Sequence, residues 1–122
     1  MSTKASLLAI TPMVPAGANL PETLHFFAEE LGFTIVWQTD SMAGISRDLI
    51  NLNLVQNDLR VWADNASFSF AVSDLEALYE EYARVSAQVG ALEMKPWGRR
   101  EFHMILPTGV CFQFYERSTT AA

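Results

Sequence analysis

Lys95-Pro96-Trp97-Gly98-Arg99-Arg100-Glu101-Phe102-His103-Met104, running on through Pro107-Thr108-Gly109 into Val110–Glu116, decides how this chain is read. The stretch spells a hairpin: an exposed aromatic and charged corner, then two alternating strands joined by a Pro-x-Gly turn. Phe102, Met104 and Leu106 share one face of the first strand, and Glu101, His103 and Ile105 share the other. In the partner strand Phe112 and Phe114 alternate with Cys111, Gln113 and Tyr115. Successive side chains point to opposite sides of a sheet, so one face gathers a carboxylate, an imidazole, a carboxamide and a phenol. That set is too polar for a core and too apolar for plain surface. It reads as the floor of a pocket.

Working outward from the hairpin, the same kind of unit occurs twice. Ser6–Val14 is short and apolar with prolines at its far end, which predicts an edge strand, because proline cannot donate to an interior ladder. Asn19 is an N-cap with Pro21 in the first turn, and Leu20, Leu24, Phe27 and Leu31 form the apolar stripe of a helix closed by Gly32. Strands follow at Phe33–Gln38, Ala43–Arg47 and Leu49–Val55, with a tight turn near Arg47-Asp48. Asn57–Asn65 reads as a polar connection holding Trp62 and Asp64. The pattern then restarts: a strand at Ser67–Val72, a capping box of Ser73 and Glu76, and a helix carrying Leu75, Leu78, Tyr82, Val85 and Val89, closed by Gly90. Ser118–Ala122 is expected to fray.

The second unit thus repeats the first about 55 residues on, the mark of two copies of one supersecondary unit sharing a core. The expected fold is α+β, a single domain over residues 1–122 built of two βαβββ modules, about 5–57 and about 64–117. The modules should form a curved, largely antiparallel sheet with helices on one face and a concave ligand-binding face on the other.

Composition narrows the function. Half of the 122 residues are hydrophobic and 18% are charged, enough for a real core and too apolar for disorder. A net charge of −6 argues against nucleic acid and anionic membranes and favours cationic small molecules. Cys111 is the only cysteine, so no internal disulfide can form and a reducing compartment is expected. With no signal-peptide pattern and no apolar run of transmembrane length, the expected location is the cytoplasm.

Read together, these stretches resemble the vicinal-oxygen-chelate superfamily of glyoxalases, extradiol dioxygenases and bleomycin-resistance proteins, and the bleomycin-resistance proteins most. The resemblance rests on Leu31-Gly32-Phe33, Ala43-Gly44, Arg47-Asp48, Asp64-Asn65, Ser73–Glu81, Pro96-Trp97-Gly98, Arg100-Glu101-Phe102, Pro107-x-Gly109 and Cys111 with Phe114. It implies a metal-free homodimer whose first strand is exchanged between subunits, with acidic clefts at the interface that trap a flat cationic drug. In the superfamily's enzymes a divalent metal sits on His, Glu or Gln. The matching positions here are Pro12, Ser67 and Gln113, which cannot hold one, so no metal or cofactor is expected. The family's stacking aromatics correspond to Trp97, which is kept, and to Met42, where a thioether replaces a ring; Trp37 stands where the family has Phe. Leu106 and Val110 replace the Asp and Asn that flank the family's Pro-x-Gly turn.

The expected function is therefore sequestration of a planar, cationic aromatic natural product, with no catalytic residue. Trp37, Met42, Trp62 and Trp97 would give stacking surface, Asp64 and Glu101 negative charge, and Asn51, Asn53, Ser69, His103, Gln113 and Tyr115 orienting hydrogen bonds. The competing reading is a lyase, isomerase or dioxygenase of the same superfamily, using a displaced metal site or a His103–Glu101 acid–base pair. A stripe of Glu22, His25 and Glu29 on the first helix is a weaker metal candidate, and a ligand-sensing or interaction module is a third class.

Overall fold

Alternation of apolar and polar residues builds the frame. In chain order the elements are β1 (Met13–Pro15), α1 (Leu20–Glu29), β2 (Thr34–Gln38), β3 (Met42–Arg47), β4 (Ile50–Val55), α2 (Arg60–Asp64), β5 (Ser67–Val72), α3 (Leu75–Tyr82), β6 (Gln88–Val89), β7 (Glu93–Met94), β8 (Arg100–Ile105) and β9 (Cys111–Glu116). The computed structural model describes residues 3–117. The tail expected at Ser118–Ala122 lies outside them.

The strands make two sheets, not the single curved one the repeat suggested. The first has the order β1-β4-β3-β2; the second has the order β5-β9-β8-β6, with β7 also on β8. Both are largely antiparallel, as expected, and each adds one parallel pair, β1 with β4 and β5 with β9. The reason is directional. After the first strand, a helix returns the chain, and an up-down-up run of three strands leaves the last one parallel to the first. Each module closes its own ladder, and the two join through side chains.

That junction is the core. Val14, Leu24, Phe27, Leu31, Ile45, Leu52 and Leu54 of the first module and Leu75, Phe102, Met104, Phe112 and Phe114 of the second belong to one buried cluster. Phe27 meets Phe112 edge-on at 5.9 Å across the modules. A polar clamp reinforces the contact. Arg47, at the end of β3, donates from Nη1 to the Leu31 carbonyl (2.8 Å) and to Glu81 of α3 (2.7 Å). The Tyr82 hydroxyl donates to the same carbonyl at 2.8 Å. Burial pushes the Tyr82 phenol up to about 12, so it stays a donor at any physiological pH.

The first helix forms as its sequence predicts. Asn19 Oδ1 accepts from the Glu22 amide at 3.1 Å, and Pro21 falls in the first turn. Gly32 turns the chain out at φ +79°, and the Phe33 amide returns to the Phe27 carbonyl at 3.0 Å.

Four other expectations are corrected. The strand predicted over Ser6–Val14 is only Met13–Pro15; Leu7, Leu8 and Ile10 stand almost wholly exposed, and Pro12, lacking an N–H, limits the ladder. The connection Asn57–Asn65 contains a helix, α2, in which Ala63 turns into the core. The cap of α3 is Asp74, whose Oδ1 accepts from the Ala77 amide at 3.1 Å, not Ser73. And α3 stops at Tyr82, eight residues before Gly90. Val89 pairs instead with Met104 of β8, and the Gly90 amide bonds the His103 carbonyl at 2.8 Å. An unfilled edge on β8 competes for the chain, and its ladder bonds to Gln88 and Val89 outweigh further helical turns.

Candidate functional site

The buried side chains of each sheet alternate with a second set that the helices do not cover. On the second sheet that uncovered set is Ser67, Ser69, Glu101, His103, Cys111, Gln113 and Tyr115, as register dictates: Ser69 lies opposite Gln113, His103 opposite Gln113, and Glu101 opposite Tyr115. On the first sheet Trp37 lies opposite Gly44, Gly44 opposite Asn53, and Met42 opposite Val55.

Glu101 is the centre of the second face. It is completely buried, yet three donors converge on its carboxylate. Trp97 Nε1 donates to Oε2 at 2.7 Å and Arg99 Nε to the same atom at 2.6 Å, while His103 Nε2 lies 2.9 Å from Oε1. Burial alone would push this carboxyl up. The hydrogen bonds from Trp97, His103 and Arg99, with the Arg99 charge, outweigh that and hold it down to about 2. An ionised carboxylate only accepts, so His103 carries its proton on Nε2.

These bonds orient rings. The Trp97 indole, 60% exposed, lies parallel to His103, with 6.2 Å between centroids and 11° between planes. The Arg99 guanidinium sits 3.8 Å over the Tyr115 ring. Beside them a neutral ladder runs along the sheet: Ser69 donates to Gln113 Oε1 at 2.9 Å, and Gln113 Nε2 donates to Ser67 at 3.2 Å. The face is a flat aromatic platform locked from beneath by a buried anion.

The first face is arranged differently. The Trp37 indole lies so close over Gly44 that any side chain there would overlap it. Next to it opens a cavity of about 300 Å³ lined by Trp37, Gly44, Asn51 and Asn53. Met42 shares this face at the start of β3, half-buried.

Ten of the twelve expected binding residues thus lie on or beside the two uncovered faces. Trp62 and Asp64 do not. Both belong to α2, where Asp64 pairs with Arg60 at 3.0 Å and sits against Gly109 in the β8–β9 turn. The expected pair of free acids is not present as such, since Asp64 and Glu101 each hold an arginine. Sequence reasoning missed Arg99 and Gly44. Arg99 stands two residues from Glu101, the period-two spacing that puts both on one face. Gly44 counted in the sequence only toward the family resemblance, and its place beneath Trp37 emerges once the register sets the two opposite each other.

A transition metal does not fit the corresponding positions. The Pro12 carbonyl accepts from the Asn53 amide, and Ser67 and Gln113 are bonded to each other through neutral groups. Among the described residues no three His, Cys, Asp or Glu side chains are gathered to hold an ion, Glu22, His25 and Glu29 included.

Two strand-helix-strands units, each with one uncovered and partly aromatic face, define an open α+β architecture of two mixed sheets. Over residues 12–116 the chain matches the Glyoxalase/Bleomycin resistance protein/Dioxygenase superfamily, and it belongs to that family. It is similar to a bleomycin-binding protein from bleomycin-producing Streptomyces verticillus, solved with copper(II)-bleomycin: TM-score 0.85, 27% identity, 94% of this chain and 100% of that one. It shares its fold with a bleomycin resistance determinant encoded on transposon Tn5 (TM-score 0.80, 21% identity, 92% and 99% covered). The same holds for a bleomycin-binding protein complexed with bleomycin (TM-score 0.80, 21% identity, 92% and 100% covered). Among curated proteins none matches by sequence.

Proposed function

We propose that this chain is a non-catalytic, homodimeric binding protein that sequesters a planar aromatic natural product of the bleomycin type. The observation that carries the reading is the Trp97 platform: a largely exposed indole fixed by a 2.7 Å bond to a fully buried carboxylate. A ring held in place before the ligand arrives loses little freedom on binding, so more of the stacking energy appears as affinity. Each aromatic contact contributes about 0.5–1.5 kcal/mol beyond its buried area, and a ligand cation over the indole face about 0.5–2 kcal/mol. The net charge of −6 would draw such a cation from a distance even though the nearby acids are paired.

Three features support binding over chemistry. Glu101 is ionised and fully engaged, Gln113 is tied to two serines, and the positions that hold metal in the superfamily's enzymes carry Pro12, Ser67 and Gln113. The dimer is supported by Leu7, Leu8 and Ile10, whose exposure leaves an apolar arm for exchange with a second copy. Sedimentation should give twice the chain mass, and removal of residues 3–10 should shift it toward monomer. Calorimetric titration with metal-free bleomycin and with copper(II)-bleomycin tests the function. Micromolar or tighter binding is expected, and nothing tighter than about 1 mM would contradict it.

A further inference from the structure

The two uncovered faces treat their carboxamides in opposite ways. On the second, both ends of Gln113 are taken up by Ser67 and Ser69. On the first, Asn51 is exposed and Asn53 half-buried, and both line the cavity beside Trp37. They lie two residues apart on one strand, so their amides stand about 7 Å apart on the same side. The indole is beside them because Gly44, opposite both Trp37 and Asn53, leaves its seat empty of side chain.

None of the described residues that line this cavity is ionisable: Thr11, Val36 and Ile45 are added to those already named, with Leu52 at its base. Whatever it holds is read by shape and hydrogen bonds, not by charge. A carboxamide has a donor and an acceptor side by side, a geometry that pairs with a flat ring carrying the complementary edge. An uncharged ring leaves no ion desolvated without a partner, whereas a cation here would find no carboxylate to pair with, only the Trp37 ring and neutral amides.

We infer that the cavity between Trp37 and the Asn51–Asn53 pair is a subsite for an uncharged planar ring with adjacent donor and acceptor, such as an amino-heteroaromatic ring or an aryl carboxamide. This rests on the reading above that the uncovered faces hold a ligand. It adds that Asn51 and Asn53 set which ring is accepted, and that the positive charge of any ligand is read elsewhere.

The probes are cytosine and nicotinamide, which carry that edge, and 1-methylpyridinium, a planar cation without it. Each is titrated into the whole chain and followed by NMR at the Trp37 indole N–H and the Asn51 and Asn53 side-chain amides. Cytosine and nicotinamide should shift these signals with millimolar or tighter affinity, and 1-methylpyridinium at least about 10-fold more weakly. Asn53→Leu should weaken the first two by about 10-fold. Asn53→Asp, which keeps the shape but removes both amide donors, should weaken them as well and guards against a folding defect. Equal binding of 1-methylpyridinium, no shift at these signals, or unchanged affinity in both variants would overturn the subsite. Bleomycin binding that is indifferent to both Asn53 variants would overturn it while leaving the sequestration reading intact. Fragment binding without bleomycin binding would do the reverse.

Discussion

The faces of the two modules share a register and differ in where they put the ring. In the first, an aromatic on the edge strand leans over a glycine on the central strand, Trp37 over Gly44. In the second, the central position opposite the carboxamide is His103, and the edge beside it is Gly90. One face is shaped by a missing side chain, the other by a buried ion. In the first, added volume should therefore cost ligand affinity more than stability, and added charge should leave the fold standing. In the second, loss of the buried charge should cost stability first. One frame thus carries two unlike uncovered faces, and the proposed ligand sites differ accordingly.

Removing the buried charge is the strongest way to break the contrast. Glu101→Gln turns an amide N–H₂ toward donors and should cost about 3 kcal/mol of stability, since breaking a buried pair leaves partners unsatisfied. Thermal denaturation reads that loss, and the Trp97 emission should move to the red as the indole is released. Nothing comparable is expected from Asn53→Asp on the first face.

Acid titration separates the faces without mutation. The folded Glu101 carboxyl, at about 2, lies below its ordinary 4.5, so the folded state binds its proton less readily than the unfolded chain. Its contribution is fully present above about pH 4.5 and is lost as pH falls toward 2, a span worth roughly 3 kcal/mol. Denaturant midpoints across that range should show the acid limb in the wild type and a shallower one in Glu101→Gln.

Gly44→Ala sharpens the comparison from the other side. The added methyl displaces Trp37, which is 42% exposed and can swing into solvent, so stability should fall by only about 1 kcal/mol. Ligand affinity at the first face should fall by about 10-fold, the stacking surface being gone. The smallest effect is expected from Arg99→Lys, which keeps the charge on Glu101 but loses the planar group over Tyr115. About 0.5–1 kcal/mol should be lost in chemical denaturation.

Much of this was legible in the sequence, and the boundary has a physical basis. Local rules carried α1, with its Asn19 cap, Pro21 and Gly32, because capping and helical period act over a few residues. Alternation placed Glu101, His103, Gln113 and Tyr115 on one side for the same reason. What failed was long-range competition. The end of α3 depended on the free edge of β8, and the division into two sheets on each first strand closing its own module. The site was read by type and not by state. Glu101 looks like free charge in a list of residues, and only coordinates show it buried beneath Trp97 and Arg99. Asp64 was drawn to the site by its place in the family pattern, while the helix around it, with Arg60 one turn before, keeps it elsewhere.

The claim that these faces hold a flat ligand and perform no chemistry on it is tested most directly by calorimetric titration of the whole chain with metal-free bleomycin, the recovered ligand then being checked by mass. Saturable binding at micromolar or tighter affinity with an unchanged mass is predicted. No saturable binding tighter than about 1 mM, or recovery of a chemically altered product, would contradict it.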